Sequence, residues 1–88
     1  MHSELKELSK EVYNFEKKAG FDKTSSNQLI KWLEKELNNY KKAKSKKVKQ
    51  NKLMDIIILA VQISRRDKVN LDSALKRWWK DSKKYLKN

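Results

Sequence analysis

The segment Asn51–Val61, NKLMDIIILAV, is the most apolar run of the chain, and it carries one carboxylate, Asp55, in its interior. A run that is apolar nearly all round fits the central, most buried helix of a helical protein. An ionised Asp in such surroundings costs several kcal/mol, in rough terms, unless a cation or hydrogen-bond donors compensate. What Asp55 faces therefore separates an enzyme from a former enzyme and both from a plain helical bundle.

Working outward, Pro is absent and Gly occurs once, at Gly20. Strands and tight hairpins draw on those residues, so the chain reads as all-α. A first helix is predicted from Ser3 or Glu4 to about Lys18, with Ser3 as N-cap and Leu5, Leu8, Val12, Phe15 and Ala19 at helical spacing. Gly20 supplies the left-handed residue that ends it. After the polar FDKTSSN, a second helix capped by Ser25, Ser26 or Asn27 carries Leu29, Ile30, Leu33, Leu37 and Tyr40 in one stripe. The segment Lys41–Lys52 holds seven lysines in twelve residues and no acid, so mutual repulsion predicts a loop or a frayed helix end. The third helix is predicted over Asn51–Arg66, with Arg65 and Arg66 suited to its C-terminus. Asn70 then caps a fourth helix, in which Leu71, Ala74, Leu75, Trp78 and Tyr85 can share a face. The expectation is one domain over 1–88, four helices with the last three forming the core, and a homodimer through apolar faces of helices 2 to 4.

Eighty-eight residues give a small domain with a limited core, which oligomerisation would help to stabilise. Without Cys there is neither a disulfide framework nor a thiolate zinc site. The N-terminal MHSELKELSKE lacks the pattern of a signal peptide, and the apolar run falls short of the roughly 20 residues that cross a bilayer. These features predict a soluble, cytoplasmic protein with no membrane partner. The formal charge of +12 favours anionic partners, unless the lysines serve only solubility.

From helix 2 onward the sequence resembles a family. NQLIKWLEKELNNYKKA followed by KLMDIIILAVQISRRDKVNLDSALKRWWKDSKKY is similar to the MazG-like, all-α nucleoside triphosphate pyrophosphohydrolases. The leading ELKELSKEVYNFEKKAGF, ending in a Gly and an aromatic, also resembles the family's first helix. The family pattern places E-E-x-x-E on one helix and E-x-x-D on the next, so that clustered carboxylates hold Mg²⁺ against a triphosphate and activate a water. Matched to this chain, the first motif falls on Lys35, Glu36 and Asn39, and the second on Lys52 and Asp55. A one-residue slide gives Glu34, Lys35 and Asn38 instead, and Ser82 stands where the family closes with Asn. Two carboxylates thus remain, with lysines between them. The resemblance implies that Asp55 is a relic of a metal site, now neutralised by Lys35 or Lys52, so neither catalytic residues nor a metal cofactor is expected. The alternative is that Asp55 makes only a surface pair with Lys52.

Other candidates carry less. Trp78 and Trp79, beside Lys76, Arg77 and Lys80, could stack bases on a cationic surface, although one Trp in the core and one at an interface is the reading favoured by their divergence on a helix. His2 has no second ligand nearby, Ser25 and Ser26 have no base partner, and no Gly-rich phosphate loop occurs. The reading that results is a catalytically degenerate module that engages an acidic protein surface or nucleic acid. Its binding residues would be Lys41, Lys42, Lys44, Lys46, Lys47, Lys49 and Lys52, with Lys76, Arg77, Lys80 and Trp79 on helix 4. Such small, basic relatives of enzymes suit mobile-element or phage proteins. The alternatives are a Mg²⁺-dependent pyrophosphohydrolase using Glu36, Asp55 and Glu34, and a structural helical bundle.

Overall fold

A computed structural model describes residues 4–86, which hold four α-helices and no strand. They are α1 (Glu4–Ala19), α2 (Ser26–Lys42), α3 (Lys46–Arg66) and α4 (Leu71–Ser82), followed by a 3₁₀ turn at Lys83–Tyr85. His2 and the Ser3 cap lie outside the described residues. No helix among those described is long and apolar enough to cross a membrane.

Local chemistry accounts for each boundary. Gly20 takes φ +80°, its N–H reaches the Lys17 carbonyl and that of Phe21 reaches Glu16 at 2.8 Å, which closes α1 in a Schellman motif. Lys68 repeats the motif at the end of α3 with φ 57°, and the N–H of Val69 bonds to Ser64 at 2.8 Å. Ser25 accepts from the Gln28 N–H at 3.1 Å and Asn70 from the Ser73 N–H at 3.0 Å, so both act as N-caps.

The lysine segment departs from expectation, because α3 begins at Lys46 rather than Asn51. Only 43–45 are non-helical, so the predicted lysine loop is instead the last turn of α2, a three-residue link and the first two turns of α3. Ser45 accepts from the Val48 N–H at 3.2 Å and caps the helix. Lysine is a good helix former, and the repulsion between neighbours is relieved where they reach α2. Lys49 lies 5.9 Å from the centre of the Tyr40 ring, and Lys52 pairs with Glu36.

α2 and α3 form an antiparallel hairpin, α1 packs on α3, and α4 leans against α1. The buried apolar residues are Val12, Leu29, Leu59 and Val61, on α1, α2 and α3. None is on α4, so the expectation of a core made by the last three helices is corrected to one made by the first three. The two tryptophans follow the same correction. Trp78 and Trp79 are 57% and 59% exposed and pack edge to face on each other, their centroids 5.0 Å apart. A helix that touches the bundle along only one narrow edge has no room to bury either ring.

The tightest packing is polar. The Glu16 carboxylate is fully buried and receives both arms of Arg66, at 2.6 and 3.1 Å, and the Gln62 amide at 2.8 Å. Arg66 also donates to the carbonyls of Thr24 and Phe21, each at 2.7 Å. One guanidinium thus ties α1, α3 and the turn before α2 together. Arg66→Met should strand a buried carboxylate and two carbonyls, at a cost of about 3–5 kcal/mol. Glu16→Gln, which keeps an acceptor for the guanidinium, should lose less, and urea denaturation of both variants measures the difference.

Candidate functional site

Where α2 and α3 run side by side, Glu36 faces Lys52 and Asp55. The Lys52 ammonium is 3.2 Å from Glu36 and 3.9 Å from Asp55, and the Asn39 amide donates to Glu36 at 2.9 Å. These positions share a face because Glu36 and Asn39, like Lys52 and Asp55, are three residues apart on their helices. Glu36 is mostly covered, whereas the Asp55 side chain is 53% exposed. Asp55 therefore sits at the edge of the apolar run rather than within it, and its desolvation burden is lighter than the segment Asn51–Val61 implies.

The two carboxyls differ in how readily they hold a proton. Asp55 is held above the ordinary aspartate range by its hydrogen bond with Glu36, then by burial and the charge of Glu36, while Lys52 opposes. Glu36 is held below the ordinary glutamate range by that same hydrogen bond, with Asn39 and Lys52 adding to it and burial opposing.

The pair opens onto a cavity of about 660 Å³ between α1, α2 and α3. Phe15, Phe21 and Trp32 form its apolar wall, with successive ring centroids 6.3 Å apart, and Glu11, Lys35, Glu36, Asp55 and Gln62 supply polar groups. Among residues expected from sequence, Lys35, Glu36, Lys52 and Asp55 are thus brought together, the first two and Asp55 on the cavity itself. Glu34 does not line it. The wall and Glu11 escaped the sequence reading, although Leu8, Glu11, Val12 and Phe15 recur at helical steps along α1.

The remaining basic candidates fall on other surfaces. Lys41 and Lys42 end α2, Lys44 is in the link, and Lys46, Lys47 and Lys49 lie on the first turns of α3. Lys76, Trp79 and Lys80 line a second, larger groove of about 1870 Å³ between α1 and α4, while Arg77 and Trp78 do not. No family model, no curated protein and no solved structure matches this chain.

The linked shifts give a signed pH dependence. Stability from the raised Asp55 value is present at low pH and lost as pH rises through that value. Stability from the lowered Glu36 value is present above the ordinary glutamate range and lost as pH falls through the lowered one. The pair therefore contributes most between the two, with the proton on Asp55. Asp55→Asn should be equal to or more stable than the parent at pH 7, by less than about 1 kcal/mol given the exposure, and should lose that advantage as Asp55 takes up its proton. Paired thermal melts from pH 7 downward give the difference directly.

Proposed function

We propose that the chain is a MazG-like helical module in which a lysine ammonium has taken the place of a metal ion, and that it binds an anionic partner instead of hydrolysing nucleotides. The observation that carries this reading is Lys52, whose ammonium lies within 4 Å of both Glu36 and Asp55. A hard divalent cation calls for about six oxygen ligands and repels an ammonium in its coordination sphere. Here the donor set is two carboxylates and an Asn amide, and Lys52 already donates to Glu36. The described residues contain no group of three or more His, Cys, Asp or Glu suited to a metal. The residues thus fit magnesium poorly, and no reaction step is assigned to it. The convergence of Glu36 and Asp55 beside a cavity is what favours the second reading, a Mg²⁺-dependent pyrophosphohydrolase.

The anionic partner, an acidic protein surface or nucleic acid, would meet the lysines of Lys41–Lys52. Their helical presentation supports this, since the first turns of α3 hold Lys46, Lys47 and Lys49 at fixed angles. A rigid array loses less entropy on binding than a loop does.

A homodimer belongs to the same proposal. The single chain exposes 7661 Å², against about 5,500 Å² expected for a compact monomer of 10.6 kDa. Its radius of gyration is 15.0 Å, against about 12 Å for this length. Ile30 and Leu37 on α2, with Leu53, Met54 and Ile57 on α3, are exposed at helical spacing and line neither cavity. Burying them against a second copy is within reach of a standard interface of about 800 Å² per partner. Sedimentation should give a two-copy mass for the parent and a one-copy mass for Met54→Lys combined with Ile57→Lys.

The catalytic side is tested with nucleoside triphosphates in Mg²⁺ or Mn²⁺, where the parent should release no pyrophosphate. Release that disappears in Asp55→Asn would instead establish the enzyme reading. Lys52→Glu rebuilds a third carboxylate, and this variant, unlike the parent, should gain thermal stability on addition of Mn²⁺. A parent that is itself stabilised by Mn²⁺, with the effect lost in Asp55→Asn, would remove the proposal that lysine replaces the metal.

A further inference from the structure

The groove between α1 and α4 gathers charge of one sign. Lys6 and Lys10 line it from α1, Lys76 and Lys80 from α4, Lys83 from the turn that follows, and Arg65 from the end of α3. Lys6 and Lys10 are one helical step apart, as are Lys76 and Lys80, so two basic stripes face each other across the gap. Asp72 is the only acid among the described residues that line it. α1 also carries Glu7, Glu11 and Glu16, and none of them does. A surface made basic only for solubility would not sort its charges in this way.

Two features go beyond charge. The Arg65 guanidinium lies 4.2 Å from the centre of the Tyr13 ring and donates to the Ser9 hydroxyl at 3.1 Å. These two contacts hold it over the Tyr13 ring, with further N–H groups of its planar fork available for a phosphate. Trp79 lines the same groove, is more than half exposed, and has its ring set by the edge-to-face contact with Trp78. Cationic stripes beside an exposed aromatic platform are what a single nucleic-acid strand requires, because its backbone needs point charges and its unpaired bases offer π-faces. A duplex keeps its base faces stacked inside, and an acidic peptide has no π-face at each unit of charge to place on Trp79.

We propose that the α1–α4 groove binds single-stranded nucleic acid, with phosphates along Lys6, Lys10, Arg65, Lys76 and Lys80 and a base stacked on Trp79. Recognition is independent of sequence, since the groove offers phosphate contacts and stacking rather than a set of side chains reading base edges. The proposal shares with the preceding section only the expectation of an anionic partner. It uses different residues and does not depend on the Lys52 site.

The test is fluorescence anisotropy with labelled oligothymidylate and oligouridylate, a duplex of the same length and polyglutamate of matched charge. Variants would be Trp79→Ala, Lys76→Gln with Lys80→Gln, and, as a control, Lys44, Lys46, Lys47 and Lys49→Gln, each checked for helix content by circular dichroism. Both single strands should bind the parent more tightly than duplex or polyglutamate. With these five phosphate contacts and a slope of about 0.7 each on single strands, affinity should fall about 130-fold between 50 and 200 mM salt. Trp79→Ala should weaken strand binding by at least about fivefold and leave polyglutamate binding unchanged. The Lys76, Lys80 variant should lower the salt slope, and the control should retain strand binding. No strand binding at 50 mM salt, equal affinity for polyglutamate, a preference for duplex, or a folded Trp79→Ala that binds as the parent does would each overturn the proposal. Loss of strand binding only in the control would move the site to the lysines of α2 and α3. A preference between the two strands would identify RNA or DNA as the ligand without altering the site.

Discussion

The rest of the fold depends on the grip of Arg66 on Glu16. That pair joins the last turn of α3 to the last turns of α1, and the two remaining Arg66 contacts, to Phe21 and Thr24, hold the connection that leads into the Ser25 cap of α2. α2 therefore leaves its cap at a set position and runs back along α3. Along that path Tyr40 meets Lys49 and Glu36 meets Lys52. The four buried apolar side chains among the described residues leave many packings of similar energy open to a chain this size. A buried carboxylate that must meet both the Arg66 guanidinium and the Gln62 amide rejects most of them. We read the pair as a device for register more than for net stability, since the desolvation of both ions offsets much of their attraction.

The same register creates the Glu36–Asp55 site. Two neighbouring carboxyls destabilise each other unless a proton or a cation intervenes; here the Lys52 ammonium lies beside the pair, and Asp55 holds a proton more readily than an ordinary aspartate does. Lys52 thus offsets part of the pair's charge from within the chain. The pair also borders an aromatic-walled cavity, so its state of charge sets the polarity of the space between α1, α2 and α3.

What was legible in the sequence is what depends on neighbours along the chain. Stripes at three and four residues locate all four helices, Gly20 ends the first, Asn70 caps the fourth, and the cap of the second is narrowed to Ser25, Ser26 or Asn27, of which the structure uses Ser25. The start of α3 escapes a reading of charge alone, because the repulsion within Lys41–Lys52 is outweighed by the helix propensity of lysine and the cap at Ser45. The exposure of α4 is not legible in the sequence, because an amphipathic stripe tells that a face is apolar, not that another helix covers it. Glu16 and Arg66 are fifty residues apart, and each alone looks like an ordinary surface charge on a helix. The approach of Glu36 to Asp55 and Lys52 is not legible from spacing, since periodicity within α2 or within α3 says nothing of their mutual register.

The charge of +12 sets the terms on which the proposed surfaces can operate together. Bringing two copies into contact through α2 and α3 doubles the local positive charge, so repulsion opposes pairing and added salt should relieve it by screening. Capture of a polyanion in the α1–α4 groove has the opposite dependence, because added salt competes with the release of counterions. A bound strand would itself neutralise Lys6, Lys10, Lys76 and Lys80, and so remove part of the repulsion between copies. Binding and pairing, as proposed, would then reinforce each other at low salt, whereas at high salt pairing would persist and binding fade. Measured against ionic strength, the two proposed associations would be distinguished by the sign of their slopes, because one would bury apolar side chains and the other exchange small ions for phosphates.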